Sequence, residues 1–167
     1  MDPELLRLAN IAAEHLRNRN ETVAVAESSA GGLIASALLA VPGASRYFLG
    51  GAVVYTFQAR QGLVGITQKE MDEAGIRSSS EPYATRLANR IRDIHGSSWG
   101  LAETGAAGPT GNRYGDLAGH SCIAVCGPIN KAMTLETGDN NRADNMLRFA
   151  GNALAQLVDA LQTASGS

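Results

Sequence analysis

The chain has 167 residues, 44% of them apolar and 18% charged, with a net charge of -2. That composition fits a globular chain long enough to bury a core and excludes a disordered one. There is no basic run to meet nucleic acid or an anionic membrane surface, and the longest apolar stretches, such as 35–41, are far too short to span a bilayer.

Taken in chain order, Leu5, Leu8, Ala9, Ala12 and Leu16 recur at helical spacing behind an Asp2-Pro3 start signal. Residues 22–26 (TVAVA) read as a short buried strand. A turn holding Ser28, Ser29, Gly31 and Gly32 follows, then a helix running to Ala40 that Pro42-Gly43 ends. Residues 52–55 read as a strand after Gly50-Gly51. Ser80 caps a helix whose inner stripe is Ala84, Leu87, Ala88, Ile91 and Ile94. Residues 99–104 form a strand that runs into a glycine-rich loop, and 121–125 and 132–137 form a strand pair joined by a turn. The last helix carries Leu147, Ala150, Leu154, Leu157, Val158 and Leu161 on one side. Alternating helices and strands predict an α/β fold. It is a three-layer α/β/α arrangement on a mixed, mostly parallel sheet of about five strands, in a single domain spanning 1–167.

Cys122 and Cys126 fall on one face of a strand at a spacing of about 13 Å, beyond disulfide reach, so both read as buried free thiols. His15, His95 and His120 are scattered and show no metal-ligand spacing. The first ten residues lack the basic start of a secretory signal, which predicts a cytoplasmic protein.

Three segments carry possible chemistry. In AESSAGG (26–32) a strand meets a sharp turn and a helix start, exposing Ser28 and Ser29 near unpaired amides that suit an anion or an oxyanion; Glu27 is an acid at the mouth of an apolar strand. Serines that merely cap a helix, and glycines that let it approach the sheet, account for the same residues. In LAETGAAGPTG (101–111) Thr104 sits where a strand enters a loop whose amides can approach phosphate or carboxylate, although a plain surface loop reads the same way. In GGAVVYTFQAR (50–60) Tyr55 ends a strand with Arg60 one turn on, or else both are an ordinary strand end and a solvated cation. Two glycine-rich turns at strand ends together favour a ligand site, since open α/β sheets bind there. Neither turn is a P-loop or a dinucleotide fingerprint.

Together with PGAS (42–45), these segments resemble the CinA C-terminal domain family, whose pattern is AESCTGG, PGAS, YSNxAK and SGIAGPxG. Here those positions read AESSAGG, PGAS, YTFQAR and TGAAGPTG. The resemblance implies hydrolysis of the carboxamide of nicotinamide mononucleotide to nicotinic acid mononucleotide and ammonia. Carried across, Ser28 falls on the nucleophile, Tyr55 on a site tyrosine and Arg60 on the lysine that serves as general base. Thr104, Gly105 and Gly108 fall on the substrate-lining motif, with Glu27, Ser29, Gly31 and Gly32 beside the nucleophile. Arg142 falls on the family's GDR arginine, displaced in GDNNR (138–142). The resemblance also implies no metal or organic cofactor, a homo-oligomer with a dimer as first expectation, and the stand-alone form without the extra N-terminal domain of many members. An arginine cannot act as a base, because its guanidinium does not give up its proton near neutrality. The divergent Ser–Arg site therefore leaves three expectations: an active amidohydrolase in which Tyr55, Glu27 or water takes the Ser28 proton, a nucleotide-binding homologue without turnover, or a hydrolase of a different amide.

Overall fold

A computed structural model describes residues 1–165. Asp2 caps the first helix, α1 (Pro3–Asn18), by accepting from the amides of Glu4 and Leu5. The chain then runs through β1 (Val23–Glu27), α2 (Leu33–Leu39), β2 (Phe48–Val53), α3 (Phe57–Val64), α4 (Gln68–Glu73) and α5 (Glu81–His95), followed by β3 (Trp99–Ala106), β4 (His120–Cys126), β5 (Lys131–Glu136) and α6 (Arg142–Ser165).

The strands form one five-stranded sheet in the order β2-β1-β3-β4-β5. β1 pairs in parallel with β2 and β3, whereas β3–β4 and β4–β5 are antiparallel. The sheet is thus mixed as expected, but its pairings divide evenly instead of being mostly parallel, because β3 meets β4 through the glycine-rich loop as well as β4 meeting β5 through a hairpin. Helices α1, α2 and α6 cover one face around Val25, Leu101 and Ile123. Helix α5, with Val64 and Met71 from α3 and α4, covers the other around Ala24, Ala102 and Ala124. Among the described residues no helix is long and apolar enough to cross a membrane. Cys122 and Cys126 are buried free thiols, as their strand position predicts.

Close packing of α5 on the sheet needs Gly100: a Cβ there would lie 1.9 Å from the Ala88 carbonyl oxygen. The second strand lies earlier than expected: β2 contains Gly50 and Gly51 instead of starting after them, since Phe48 to Val53 pair along β1. Glycine at 50 leaves room for the His95 imidazole, which a Cβ there would meet at 2.3 Å. Glycine inside a strand often marks such an approach. Tyr55 therefore stands beyond the strand end, on the turn into α3. His95 takes the sheet-facing place expected for Ile94, which is exposed; Leu147 is exposed as well, with Phe149 buried in its stead. Helices α3 and α4 lack an apolar stripe, but their caps are regular. Thr56 accepts from the Ala59 amide, Thr67 from the Glu70 amide, and Gly65 closes α3 in the left-handed region.

Candidate functional site

Side-chain alternation decides what meets at the strand ends. Along β1, Val23 and Val25 face the α1/α6 layer and Ala24 and Ala26 face α5; along β3, Leu101 and Ala102 divide in the same way. Continuing that alternation puts Glu27 and Glu103 on the first side, and Ser28 and Thr104 on the second. Ser28, Tyr55, Arg60, Thr104 and Gly105 accordingly line one cavity of about 530 Å³ beside α5.

The other side of the turn is built by two buried carboxylates. Glu103 accepts from the amides of Ser28 (3.1 Å) and Ala30 (2.8 Å) and from the hydroxyls of Ser29 (2.5 Å) and Ser121 (3.1 Å). Glu27 accepts from the amides of Ile34 (3.1 Å) and Ala35 (3.0 Å) in the first turn of α2. Burial pushes both carboxyls above their ordinary range, although these hydrogen bonds pull against it. The expectation of free helix-terminal amides for a developing oxyanion is therefore narrowed: the protein's own carboxylates occupy those of Ser28, Ala30, Ile34 and Ala35. Glu27 and Ser29 consequently fall out of the set of ligand-lining residues, since both are buried and committed to the fold.

Gly31 and Gly32 do not line the cavity either. They hold left-handed backbone, and a Cβ at Gly31 would lie 2.8 Å from Met146 Cε. Gly108 also stands outside it, offering its carbonyl to Arg142 Nη1 at 2.7 Å, while Arg142 Nη2 donates to the Tyr55 hydroxyl at 2.9 Å. Arg142 thus ties the glycine loop to Tyr55 and does not itself line the cavity. Arg60 lines the cavity but is buried. Its Nε donates to the Ile66 carbonyl (3.2 Å), its Nη2 donates to Gln68 Oε1 (2.8 Å), and its Cζ stands 5.0 Å from the Phe57 ring centre.

Several lining residues were not singled out in the sequence: Phe57, Ser78, Ser79, Tyr83, Arg113 and Tyr114. Burial, opposed by the Arg60 charge and hydrogen bond, pushes the Tyr83 phenol up to about 12. Ser79 is held by His120, whose Nε2 donates to the Ser79 carbonyl (2.9 Å) while Nδ1 faces Glu136 Oε1 (2.5 Å). Acceptors thus stand at both ring nitrogens, an arrangement that favours the protonated ring. Burial works against the charge, but the hydrogen bonds to Glu136 and Ser79 and the nearby Asp116 outweigh it and raise the pKa. The loop carrying Arg113 and Tyr114 is fastened by Asp116, which accepts from Arg77 (2.7 Å) and Asn112 (2.8 Å).

The cavity therefore offers hydroxyls, aromatic rings and two guanidinium groups, Arg60 and Arg113, with no carboxylate, lysine or histidine on its wall. Guanidinium groups and aromatic rings are the side chains that suit an anion bearing a flat ring. No group of three metal-ligating side chains that could hold an ion occurs among the described residues.

Comparison with known proteins bears on this site. The family model described as "CinA C-terminal domain" matches residues 5–161. A CinA-like protein of Gloeothece citriformis is 35% identical over 153 residues, covering 90% of this chain and 36% of that protein. One from a Synechococcus strain is 41% identical over 121 residues, covering 72% of this chain and 28% of its own length. The chain thus spans about a third of the curated relatives it matches. Among solved structures, the CinA superfamily protein of Enterobacter cloacae superposes with a TM-score of 0.85 at 27% identity, covering 94% of this chain and 92% of that one. One from Klebsiella pneumoniae has a TM-score of 0.87 at 22% identity, covering 95% and 98%; the latter likeness is one of fold.

Proposed function

The chain belongs to the CinA C-terminal domain family, and on that premise we propose that it is an amidohydrolase of nicotinamide mononucleotide. One observation carries the reading: Ser28, Tyr55, Thr104 and Gly105, from three separate motifs, line a single cavity. In the proposed reaction the Ser28 hydroxyl adds to the carboxamide carbon and its proton passes to the leaving nitrogen. The C–N bond breaks, ammonia departs, and water then cleaves the acyl-enzyme to give the carboxylate. Arg60 and Arg113 supply positive potential for the developing negative charge and the ligand phosphate. Tyr55, oriented by Arg142, relays the Ser28 proton directly or through a water. Glu27 is excluded from that task by its bonds to α2. We further take the protein to work in the cytoplasm, as a homo-oligomer.

A second reading is favoured by the cavity wall itself. With Arg60 engaged at the family's lysine position and no lysine, histidine or carboxylate among the described residues that line the cavity with Ser28, the protein binds the nucleotide without turning it over. Ammonia release from nicotinamide mononucleotide separates the two. The first reading expects release that Ser28→Ala abolishes. Binding with no release from about pH 6 to about pH 10 establishes the second.

A further inference from the structure

The cavity that holds Ser28 does not close at the glycine-rich loop. A second hollow of about 450 Å³ adjoins it, and Phe57, Arg60, Ser78, Arg113 and Tyr114 line both. At this waist the Phe57 ring carries two guanidinium groups, Arg60 Cζ at 5.0 Å and Arg113 Cζ at 5.5 Å from its centre. Their states differ. Arg60 is hydrogen-bonded to Ile66 and Gln68, whereas Arg113 is exposed and forms no ion pair or hydrogen bond among the described residues. An unpaired guanidinium facing two hollows is a receptor for an anion that passes between them.

Beyond the waist the chemistry changes. Met71 and Ile76 give the second hollow an apolar wall, and Tyr114, stacked under Arg77 at 5.4 Å, gives it an aromatic one. Its one carboxylate, Asp72, already accepts from Gln68 Nε2 at 2.7 Å. A mononucleotide carries one base, one sugar and one phosphate, so with its base beside Ser28 and its phosphate at Arg113 it offers no group to this apolar wall. A ligand with a base at each end and a diphosphate between them offers one group to each part of the paired hollows.

We propose that the site is bipartite and takes a pyridine dinucleotide. The amide-bearing ring lies beside Ser28, the diphosphate lies against Arg113, and the second base lies against Ile76, Met71 and Tyr114. The identity of the first ring rests on the amidohydrolase reading; the second hollow is argued from its own residues. Hydrolysis is unchanged in balance: water supplies the carboxylate oxygen, the amide C–N bond breaks and ammonia leaves.

The test uses calorimetry on the full chain carrying Ser28→Ala, with nicotinamide adenine dinucleotide and nicotinamide mononucleotide as probes. The dinucleotide binds about tenfold more tightly or better. Adding Gln61→Trp, which fills the rim of the second hollow, removes that advantage while the mononucleotide affinity stays within about twofold. Without any second substitution, adenosine competes with the dinucleotide and leaves the mononucleotide in place. Equal affinities, or adenosine displacing neither nucleotide, overturn the proposal. Ammonia release by the unmodified protein keeps the two ideas apart. If neither nucleotide yields ammonia but the dinucleotide keeps its advantage, the hydrolase reading fails and the bipartite site stands. If the mononucleotide is hydrolysed and the dinucleotide neither binds nor competes, the bipartite site fails alone.

Discussion

The Ser28 amide donates to the Glu103 carboxylate across 3.1 Å, although the two residues stand 75 positions apart. The strand that brings Thr104 to the cavity therefore also supplies, one residue earlier and on the opposite face, the group that fixes the serine turn. Ser28 is held from behind by a buried acid, and its side chain is left to the cavity.

Replacing Glu103 separates charge from hydrogen bonding. In Glu103→Gln the amide oxygen can still accept from Ser28 and Ala30, while the amide nitrogen donates to the Ser29 and Ser121 hydroxyls, which can turn to accept. That variant melts within a few degrees of the parent. Glu103→Leu strands the turn amides at a cost of about 2–4 kcal/mol, and the melting temperature falls by roughly 5–10 °C. Equal losses in both variants would show that the charge, not the bonding pattern, matters.

His120 makes stability depend on pH. Its folded pKa lies above the ordinary value of 6.5, so its bonds to Ser79 and Glu136 contribute fully below that value and are lost as pH rises through the folded pKa. Glu136 is 58% exposed, so solvent screens part of its share. Asp116, held low chiefly by Arg77, acts oppositely: its contribution is present above its ordinary value and is lost on acidification. Burial raises Glu27 and Glu103, which work in the same direction as His120. The His120 share is therefore read as a difference: thermal melts of the parent decline above neutrality more steeply than those of His120→Gln. Parallel curves would mean that the ring is neutral in the fold.

Arg60→Lys tests the missing base. A lysine loses the paired bonds to Ile66 and Gln68, costing about 1–2 kcal/mol of stability. If proton removal from Ser28 limits turnover, ammonia release from nicotinamide mononucleotide rises by about tenfold or more despite that loss. A variant that is folded, binds the nucleotide and gains no activity places the limitation elsewhere.

Gly100→Ala tests the α5 contact. The added methyl meets the Ala88 carbonyl oxygen at 1.9 Å, and backbone faces backbone there, so neither side can turn away. A loss of about 3 kcal/mol or more follows, visible as a fall in the denaturant midpoint at unchanged slope. Loss below about 1 kcal/mol would show that α5 can lift from the sheet.

Local pattern was enough for much of this fold. The stripe of α1, the Asp2 and Ser80 caps, and the apolar runs of β1, β3 and β4 depend on neighbours a few residues away, and the sequence displays such neighbours directly. Helices α3 and α4, with their Thr56 and Thr67 caps, were not read from the sequence, because their weak apolar pattern hid them. Glu103 gave the same signal as Glu27, an acid in an apolar strand, yet its partners lie on another strand and turn. What only the tertiary structure decided is which side of the sheet each strand-end residue faces and what fills the helix-terminal amides. Those outcomes depend on strand order and register. Once the strands pair, alternation sends Ser28 and Thr104 into the cavity and turns the two carboxylates away to hold the backbone beneath it.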